Sequence, residues 1–375
     1  MERVKLGDVC TIVSGTTPKT DINEYWDGDI DWITPAEINE DSYVVNESLR
    51  KITPLAVQKT GMSSFPAGTV ILSSRAPIGK VAIAGKEMYC NQGFKNMICG
   101  NRINNEYLFW FLKGNTEYLN SLGRGATFKE ISKKIVENIE IVLPGLEEQK
   151  NIAKILHRCN RVMQMKKKEL AVLDELVKAR FVEMFIAKDF PILTLDEVSL
   201  SKGEYGAQSA SIRYDPSRPR YVRITDINDD GTLNNDVVSS ANKEDDEQYK
   251  LTYGDFMFAR MGATVGKTYA YKSGNQIFAG YLIRYKLDLG KIMPEYLYAY
   301  TKLDEYENWV LLNQSGAAQP GINAKKYGSL KIPVPPIEVQ RQFVGFCTKI
   351  DKSKLLEARQ AGFIAKTGRQ ISFCR

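Results

Sequence analysis

The strongest constraint on the fold of this 375-residue chain is a repeat within its own sequence. Four short segments of the first half recur in the second half, in the same order and at offsets of 189 to 191 residues. The matched pairs are LGDV (6–9) with LDEV (195–198), WITPAEI (32–38) with RITDI (223–227), EYL (106–108) with EYL (295–297), and LPGLEEQ (143–149) with VPPIEVQ (334–340). Because self-similarity at a fixed offset indicates repetition of a structural unit, we expect a tandem duplication of one fold.

Each copy consists of a mixed globular part followed by a charged helical segment. Proline-containing linkers, LPG (143–145) and VPP (334–336), close the globular parts, since proline stops strands and precedes helices. The predicted segments are a first domain at 1–145, a central helix at 146–188, a second domain at 189–336 and a distal helix at 337–375.

Both helical segments carry apolar stripes, and the central one has apolar residues at intervals of seven, as in coiled coils. The residues predicted to pair the helices are Leu156, Met163, Leu170, Leu173, Val177 and Met184 in the central helix and Phe343, Phe346 and Ile350 in the distal helix. An antiparallel pair would place the two domains at opposite ends, related by a pseudo-twofold axis. We expect the distal helix to be shorter, because it contains Gly345 and Gly362 and its pattern stops at Thr367-Gly368.

The stretch GATVGKT (262–268) is similar to the loop that binds nucleotide phosphates. That loop needs four residues between its glycines, whereas three separate Gly262 from Gly266, and the first-copy counterpart APIGKVA departs further. Both copies instead have an arginine, a tight turn and Gly-Lys between two apolar strands, with Arg75 aligned with Arg260. This pattern predicts a hairpin loop that presents two cations.

Charge is segregated in the same way within both copies. Residues 1–47 carry a net charge of −8 and residues 48–135 carry +9, while residues 189–255 carry −7 and residues 256–336 carry +5. An evenly solvated surface does not require this segregation twice. A basic half with interleaved aromatic and amide residues suits contact with a phosphate backbone and with bases.

The candidate DNA-binding residues are polar and basic side chains of these basic halves, which can contact phosphates or read guanine and adenine. In the first copy they are Arg75, Lys80, Asn91, Gln92, Lys95, Arg124 and Lys129. In the second copy they are Arg260, Thr264, Lys267, Gln314, Gln319, Asn323, Lys325 and Lys326. Two Gly-rich loops at matching places, GRGATFKEIS (123–132) and QSGAAQPGINAKK (314–326), are of the kind that often carries binding.

The sequence contains no self-contained active site. Signatures for dinucleotide binding, zinc proteolysis and serine hydrolysis are absent, and the only histidine, His157, lies in a helical pattern without a nucleophile motif. The six cysteines are widely spaced and form no C-x-x-C pair, so we expect free thiols in a reducing cytoplasm and no metal site. No run of about 18 apolar residues predicts a membrane span.

Taken in order, these motifs resemble the specificity subunit of type I restriction–modification systems. The resemblance covers essentially the whole chain and rests on the following segments: KLGDVCTIVSGTTP (5–18), WITPAEI and RITDI, the two Gly-Lys turns, LPGLEEQKNIAKIL and VPPIEVQRQF, and the duplicated layout. It implies a mixed α/β fold with two target-recognition domains separated by two long antiparallel coiled-coil helices.

The resemblance also implies a function. Each domain would read one half of a bipartite double-stranded DNA sequence, and the helices would set the spacer and dock two methyltransferase (M) subunits. Restriction/translocase (R) subunits would join for cleavage. S-adenosylmethionine, ATP and Mg²⁺ are expected on those partners, with no catalytic residue, metal or cofactor in this chain and a cytoplasmic location without membrane contact.

Two other functions compete with DNA recognition. One is a purely structural coiled-coil interaction protein, such as a truncated or silent specificity cassette, and the twice-repeated basic half argues against it. The other is an enzyme that uses GATVGKT on a nucleotide, and the broken motif argues against that.

Overall fold

The structure is a computed structural model that describes residues 2–75, 77–125, 129–186, 188–242, 247–316 and 320–372. The chain divides into two compact units. One runs to Lys166 and includes the helical residues from Arg359 onward, and the other runs from Lys167 to Ala358. Because each unit combines a globular part with portions of both long helices, the four segments drawn from the sequence stay a prediction.

The first unit is a mixed α/β domain. Its strands are β1 (Glu2–Lys5), β2 (Cys10–Ser14), β3 (Trp26–Ile33), β4 (Val44–Val45), β5 (Lys51–Ile52), β6 (Val70–Ser73), β7 (Val81–Ala84), β8 (Tyr89–Cys90), β9 (Phe94–Cys99) and β10 (Glu140–Leu143). Its helices are α1 (Leu6–Val9), α2 (Pro54–Thr60), α3 (Asn105–Gly114), α4 (Thr116–Ser121), α5 (Lys133–Glu137) and the start of the central helix α6 (Leu146–Phe181). The main sheet has the order β2-β9-β6-β7-β4, beside a smaller sheet β5-β3-β8 and the pair β1-β10.

The second unit is built in the same way. Its strands are β11 (Ile192–Thr194), β12 (Glu204–Tyr205), β13 (Ser211–Arg213), β14 (Arg220–Val222), β15 (Ser239–Ala241), β16 (Asp255–Ala259), β17 (Thr268–Ala270), β18 (Gln276–Phe278), β19 (Leu282–Lys286) and β20 (Lys331–Pro333). Its helices are α7 (Pro294–Tyr300), α8 (Asp304–Asn313), α9 (Ala324–Gly328) and most of the distal helix α10 (Ile337–Ser372). The sheets have the orders β12-β19-β16-β17, β13-β15-β14-β18 and β11-β20.

The two sheet orders reveal one repeated topology. The antiparallel neighbours β2-β9-β6-β7 correspond to β12-β19-β16-β17. The parallel pair β3-β8 corresponds to β14-β18, and β1-β10 corresponds to β11-β20. The tandem duplication and the mixed α/β class predicted from the sequence are therefore confirmed.

The repeated LPGLEEQ and VPPIEVQ motifs each end in a fully buried glutamine, Gln149 or Gln340. Each amide donates to two backbone carbonyls and accepts from one backbone N–H. The partners of Gln149 are Arg102 O (3.0 Å), Pro144 O (2.8 Å) and Asn104 N (2.8 Å), and those of Gln340 are Lys291 O (2.8 Å), Pro335 O (2.9 Å) and Met293 N (2.9 Å). The glutamines thus tie the start of each long helix to the loop that precedes the EYL helix.

The long helices α6 and α10 have 36 residues each. A π-helical turn, Val182–Ile186, extends the central helix. The distal helix α10 continues past the predicted stop at Thr367-Gly368 to Ser372, and it is five residues shorter than the central helix with its π-helical turn. A glycine inside a helix costs only about 1 kcal/mol relative to alanine, and no proline occurs in this segment to end the helix.

Within the second unit the two long helices run antiparallel, as predicted. The rings of Phe181 and Phe343 lie 5.3 Å apart. Asp174, which precedes Phe181 in the central helix, pairs with Lys354, which follows Phe343 in the distal helix. Phe185 completes an aromatic core with these two rings, and all three phenylalanines are fully buried.

The residues predicted to pair the helices are buried or half-buried. Leu156 belongs to the core of the first unit, and Val177, Met184 and Phe346 pack against the core of the second. The half-buried remainder comprises Met163, Leu170, Leu173 and Ile350. Among the described residues, the helices are too short or too polar to cross a membrane.

Candidate nucleic-acid interface

Both copies build the Gly-Lys motif as a hairpin of the main sheet, between β6 and β7 or between β16 and β17. In each hairpin, the last residue of the first strand donates its N–H to the lysine carbonyl. The glycine just before that lysine has a positive φ, a backbone conformation that glycine adopts readily and other residues rarely adopt. These residues are Ser73, Lys80 (2.9 Å) and Gly79 (φ 98°) in the first copy, and Ala259, Lys267 (2.8 Å) and Gly266 (φ 88°) in the second. The predicted hairpins are confirmed.

The hydrogen bonds correct the predicted alignment of the two arginines. Ser74 and Arg260 occupy equivalent positions. Each donates its N–H to the carbonyl of the residue just before the neighbouring strand, Gly93 before β9 and Tyr281 before β19. Each carbonyl accepts from an isoleucine N–H after the Gly-rich loop, Ile131 or Ile322. Arg75 therefore corresponds to Met261, and the second turn is longer by one residue instead of two. The backbone hydrogen bonds decide which residues correspond, whereas the sequence alignment had paired the two arginines because they are the same residue type.

The two hairpin lysines hold the hairpin against the rest of their own copy. Lys80 Nζ donates to Pro35 O at 2.8 Å. Lys267 Nζ donates to Ile227 O at 3.4 Å and pairs with the Asp229 carboxylate at 2.7 Å, which holds the pKa of Asp229 below its ordinary value. Both carbonyls lie in or beside the short 3-10 turn of the repeated WITPAEI and RITDI segments. The ammonium groups are therefore partly committed within the protein.

Arg260 lies between two exposed tyrosine rings. Its guanidinium carbon is 4.9 Å from the ring centroid of Tyr205 and 5.8 Å from that of Tyr281. Its Nε donates to Gly280 O at 3.2 Å. The tyrosines are 43% and 55% exposed, respectively. Neither tyrosine was predicted from the sequence. The offset of 191 residues that relates the two helix starts aligns Tyr205 with Ser14, so a difference between the copies at this position was the available signal.

Each copy has one glutamine amide at this edge, but the two glutamines lie in different connecting segments: Gln92 precedes β9, and Gln208 follows β12. In the first copy, Thr17 donates its hydroxyl proton to the Gln92 amide oxygen. In the second copy, the Gln208 amide fills the space beside Gly280, and a Cβ on that glycine would lie 2.2 Å from Gln208 Nε2. Thr17 corresponds to Gln208 and Gln92 to Gly280, because the adjacent backbone hydrogen bonds are equivalent. Sequence reasoning found Gln92 and missed Gln208.

The two Gly-rich loops occupy equivalent places, as predicted. A β-bridge closes each loop, between Arg124 and Glu130 in the first copy and between Ser315 and Gly321 in the second. A further bridge joins each loop to the hairpin, through Arg75 to Glu130 and through Met261 to Gly321. The hairpin and the loop therefore form one continuous edge in each copy. Gln319 lies outside the described residues.

The remaining candidates fall into two groups. Several serve the internal hydrogen bonding of their copy: Lys95 Nζ contacts Ser74 Oγ and Glu130 Oε1 (both 3.3 Å), Asn91 Oδ1 accepts from Gly93 N (2.9 Å), Thr264 Oγ1 donates to Met261 O (3.2 Å), Asn323 Oδ1 accepts from Lys326 N (2.9 Å), and Lys326 Nζ donates to Asn313 O (2.8 Å). Lys95 is also buried, with 6% of its surface exposed. Arg124, Lys129 and Lys325 are exposed, and Arg75 and Gln314 are half-buried.

Comparison with known proteins agrees with this duplicated architecture. The family model for the type I restriction modification DNA specificity domain matches residues 1–175 and again residues 193–361. This chain belongs to that family. The two matches correspond to the two copies, so each copy is one specificity domain.

Curated relatives include two specificity subunits of Methanocaldococcus jannaschii. The MjaIX subunit is 39% identical over 185 residues, which cover 48% of this chain and 43% of that subunit. The MjaVIII subunit is 24% identical over 403 residues, which cover 99% of this chain and 90% of that subunit. The chain thus matches less than half the length of the MjaIX subunit and most of the length of the MjaVIII subunit.

Two solved structures share the fold of this specificity-domain chain. A chain from a study of complex assembly and conformational transition in the type I R-M system matches with a TM-score of 0.62 at 18% identity, over 99% of this chain and 96% of that chain. The type I restriction–modification S subunit from M. genitalium matches with a TM-score of 0.55 at 13% identity, over 99% and 94%.

Proposed function

We propose that this chain is the DNA-recognition subunit of a type I restriction–modification complex, and that each copy reads one half-site of a bipartite double-stranded DNA target. The observation that carries the proposal is the continuous edge present in both copies, where an arginine and a glutamine amide lie beside a Gly-rich loop. Arginine and glutamine make bidentate contacts with guanine and adenine, and nearby cations contact phosphates.

We further propose that the long helices dock two methyltransferase (M) subunits, which restriction/translocase (R) subunits join. Apolar side chains of the central helix that lie outside the cores support this role, because exposed apolar surface marks interaction sites. They are Ile155, Val162, Met165, Val172 and Leu176, between 37% and 66% exposed. In this proposal the chain itself is not catalytic, and S-adenosylmethionine, ATP and Mg²⁺ bind to the partner subunits.

The decisive experiment is to co-express the chain with its methyltransferase subunit and to map methylated adenines across the host genome. The proposal expects a split motif with two short half-sites and a fixed gap. An assembled complex that methylates nothing would refute DNA recognition and favour an interaction protein.

A binding experiment tests the proposed edge directly. The double variant Arg124→Glu with Lys129→Glu reverses two exposed charges of the first loop. If both contact phosphates, the slope of log K against log salt concentration should fall by about 2, since each contact contributes about 0.9. Reversing two exposed lysines outside the loops, Lys59→Glu with Lys154→Glu, is the charge-matched control and should leave that slope closer to the unmodified value.

A further inference from the structure

We propose that Arg260 reads a guanine in the half-site bound by the second copy, and that Tyr205 and Tyr281 position it. This inference rests on the proposed function, because it requires DNA to lie against the edge described above. It assigns a base to one residue, which the family match does not do.

The hydrogen bonds of Arg260 determine which part of the guanidinium is available. Its backbone N–H donates to Tyr281 O at 3.0 Å and its carbonyl accepts from Ile322 N at 2.9 Å, so the main chain is fixed on both sides. Its Nε is bonded to Gly280 O. Among the described residues, the Arg260 side chain makes no hydrogen bond other than this one. The two Nη groups are left to act as a pair.

A pair of Nη groups matches one base better than the others. Guanine presents two acceptors, O6 and N7, side by side in the major groove, and a bidentate arginine contact satisfies both. Adenine places a donor next to its acceptor, and one of the two arginine N–H groups would then face an N–H. The geometry of Arg260 therefore favours guanine over adenine at the position it contacts.

The two tyrosines reduce the rotamer entropy that the Arg260 side chain loses when it binds a base. A free arginine side chain loses much rotamer entropy when it is fixed in one conformation. Here the rings of Tyr205 and Tyr281 flank the guanidinium, and the Tyr205 hydroxyl accepts from Ala324 N at 3.2 Å, which ties that ring to the start of helix α9. Much of the ordering is therefore complete before DNA binds, which is the condition for a specific base contact.

The first copy has neither a tyrosine nor an arginine at the three equivalent positions. Ser14, Ser74 and Gly93 stand at the positions of Tyr205, Arg260 and Tyr281, and Arg75 is displaced by one residue along the chain. The inference thus applies to one half-site only. It predicts that the two half-sites differ at the base contacted from this position.

The test uses the full complex with the methyltransferase subunit and compares the methylation motif of the unmodified chain with that of Arg260→Gln. We expect the guanine at one position of one half-site to become degenerate or to be replaced by adenine, which glutamine can contact, while the other half-site and the gap are unchanged. In competition binding, the unmodified complex should prefer guanine over adenine at that position by roughly 10- to 100-fold, as for a bidentate contact. In the glutamine variant that preference should disappear or reverse. Lys272→Gln removes an exposed charge beyond the opposite end of β17 and should preserve the motif.

The outcomes separate the two proposals. If the unmodified complex produces no split motif, the proposed function fails and this inference falls with it. If the split motif forms and Arg260→Gln leaves it unchanged, or weakens all positions equally as a phosphate contact would, this inference alone is wrong. Arg260→Met keeps much of the side-chain length and removes both donor groups, so it should make the guanine position degenerate, and it serves if the glutamine variant does not assemble.

The positioning role has its own measurement. Tyr281→Leu removes the flanking ring, and Tyr281→Phe retains it. We expect the leucine variant to lose part of the guanine discrimination with the same preferred base, and the phenylalanine variant to keep it. Equal discrimination in both variants would overturn the role of the ring.

Discussion

Replacing the buried glutamine at the start of the central helix should destabilise the first unit by a predictable amount. Gln149 makes three hydrogen bonds, and its loss in Gln149→Ala leaves two carbonyls and one N–H without these partners. At a net contribution of about 1 kcal/mol for each bond, the free energy of unfolding should fall by about 3 kcal/mol. With a urea slope near 2 kcal/mol/M, the midpoint should fall by about 1.5 M.

Tryptophan fluorescence during urea unfolding is the appropriate assay. Three of the four tryptophans, Trp26, Trp32 and Trp110, lie in the first unit, and Trp309 lies in the second. The large fluorescence change therefore follows the unit that contains Gln149. Glu148→Ala changes the exposed neighbouring residue on the same helical turn and should shift the free energy of unfolding by no more than about 0.5 kcal/mol.

A charge variant separates hydrogen bonding from packing. Gln149→Glu has nearly the same shape, but its carboxylate points an oxygen at the carbonyls of Arg102 and Pro144 where the amide donated. It should be at least as destabilising as alanine at neutral pH and should recover stability in acid, where the protonated group donates one bond. A loss below about 1 kcal/mol for alanine, or wild-type stability for glutamate at neutral pH, would refute the role assigned to these bonds.

Three further changes test the cores and one charge cluster. Arg284→Met removes the buried cation beside Asp255 and should destabilise the second unit by about 3 to 5 kcal/mol, measured by Trp309 fluorescence in urea, with partial recovery on adding Asp255→Asn. Burial raises the pKa of Asp31, but hydrogen bonds from Lys86 and the backbone outweigh it and set the pKa below 3.8. Its stabilisation is complete above that ordinary value and is lost as pH falls through the lowered pKa, so Asp31→Asn should flatten the acid limb of a stability–pH profile. Phe343→Ala should cost about 3 to 5 kcal/mol by urea unfolding of the second unit, because a fully buried ring is removed.

Much of the architecture could be predicted because it depends on patterns within the chain. The repeat offset predicted two copies, and the apolar spacing predicted the central helix, which runs from Leu146 to Phe181 and continues as a π-helical turn to Ile186. The end of the distal helix could not be read in the same way. Gly362 and Gly368 weaken helical propensity locally, but a long helix absorbs an isolated penalty of about 1 kcal/mol when nothing in the segment blocks it.

The binding edge was predictable as a region and not as a set of side chains. The Gly-Lys turns and Gly-rich loops were located correctly, since glycine and strand patterns specify such turns. The roles of individual cations depended on contacts that no spacing reveals. The position of Lys95 in strand β9 does not distinguish it from other residues of the strand. Lys95 is buried because it pairs with Glu130, the residue that closes the Gly-rich loop.

The comparison between the copies separates the features that recur from the side chains that differ. Features that occur twice, such as the helix-start glutamines and the hairpin lysines Lys80 and Lys267, bind groups within their own copy and hold the fold together. The side chains that differ, Thr17 against Gln208 and Ser74 against Arg260, lie at the edge proposed to face DNA. A duplicated domain that reads two different half-sites needs this division, because the fold must be kept in both copies while the contacts to bases must not be the same.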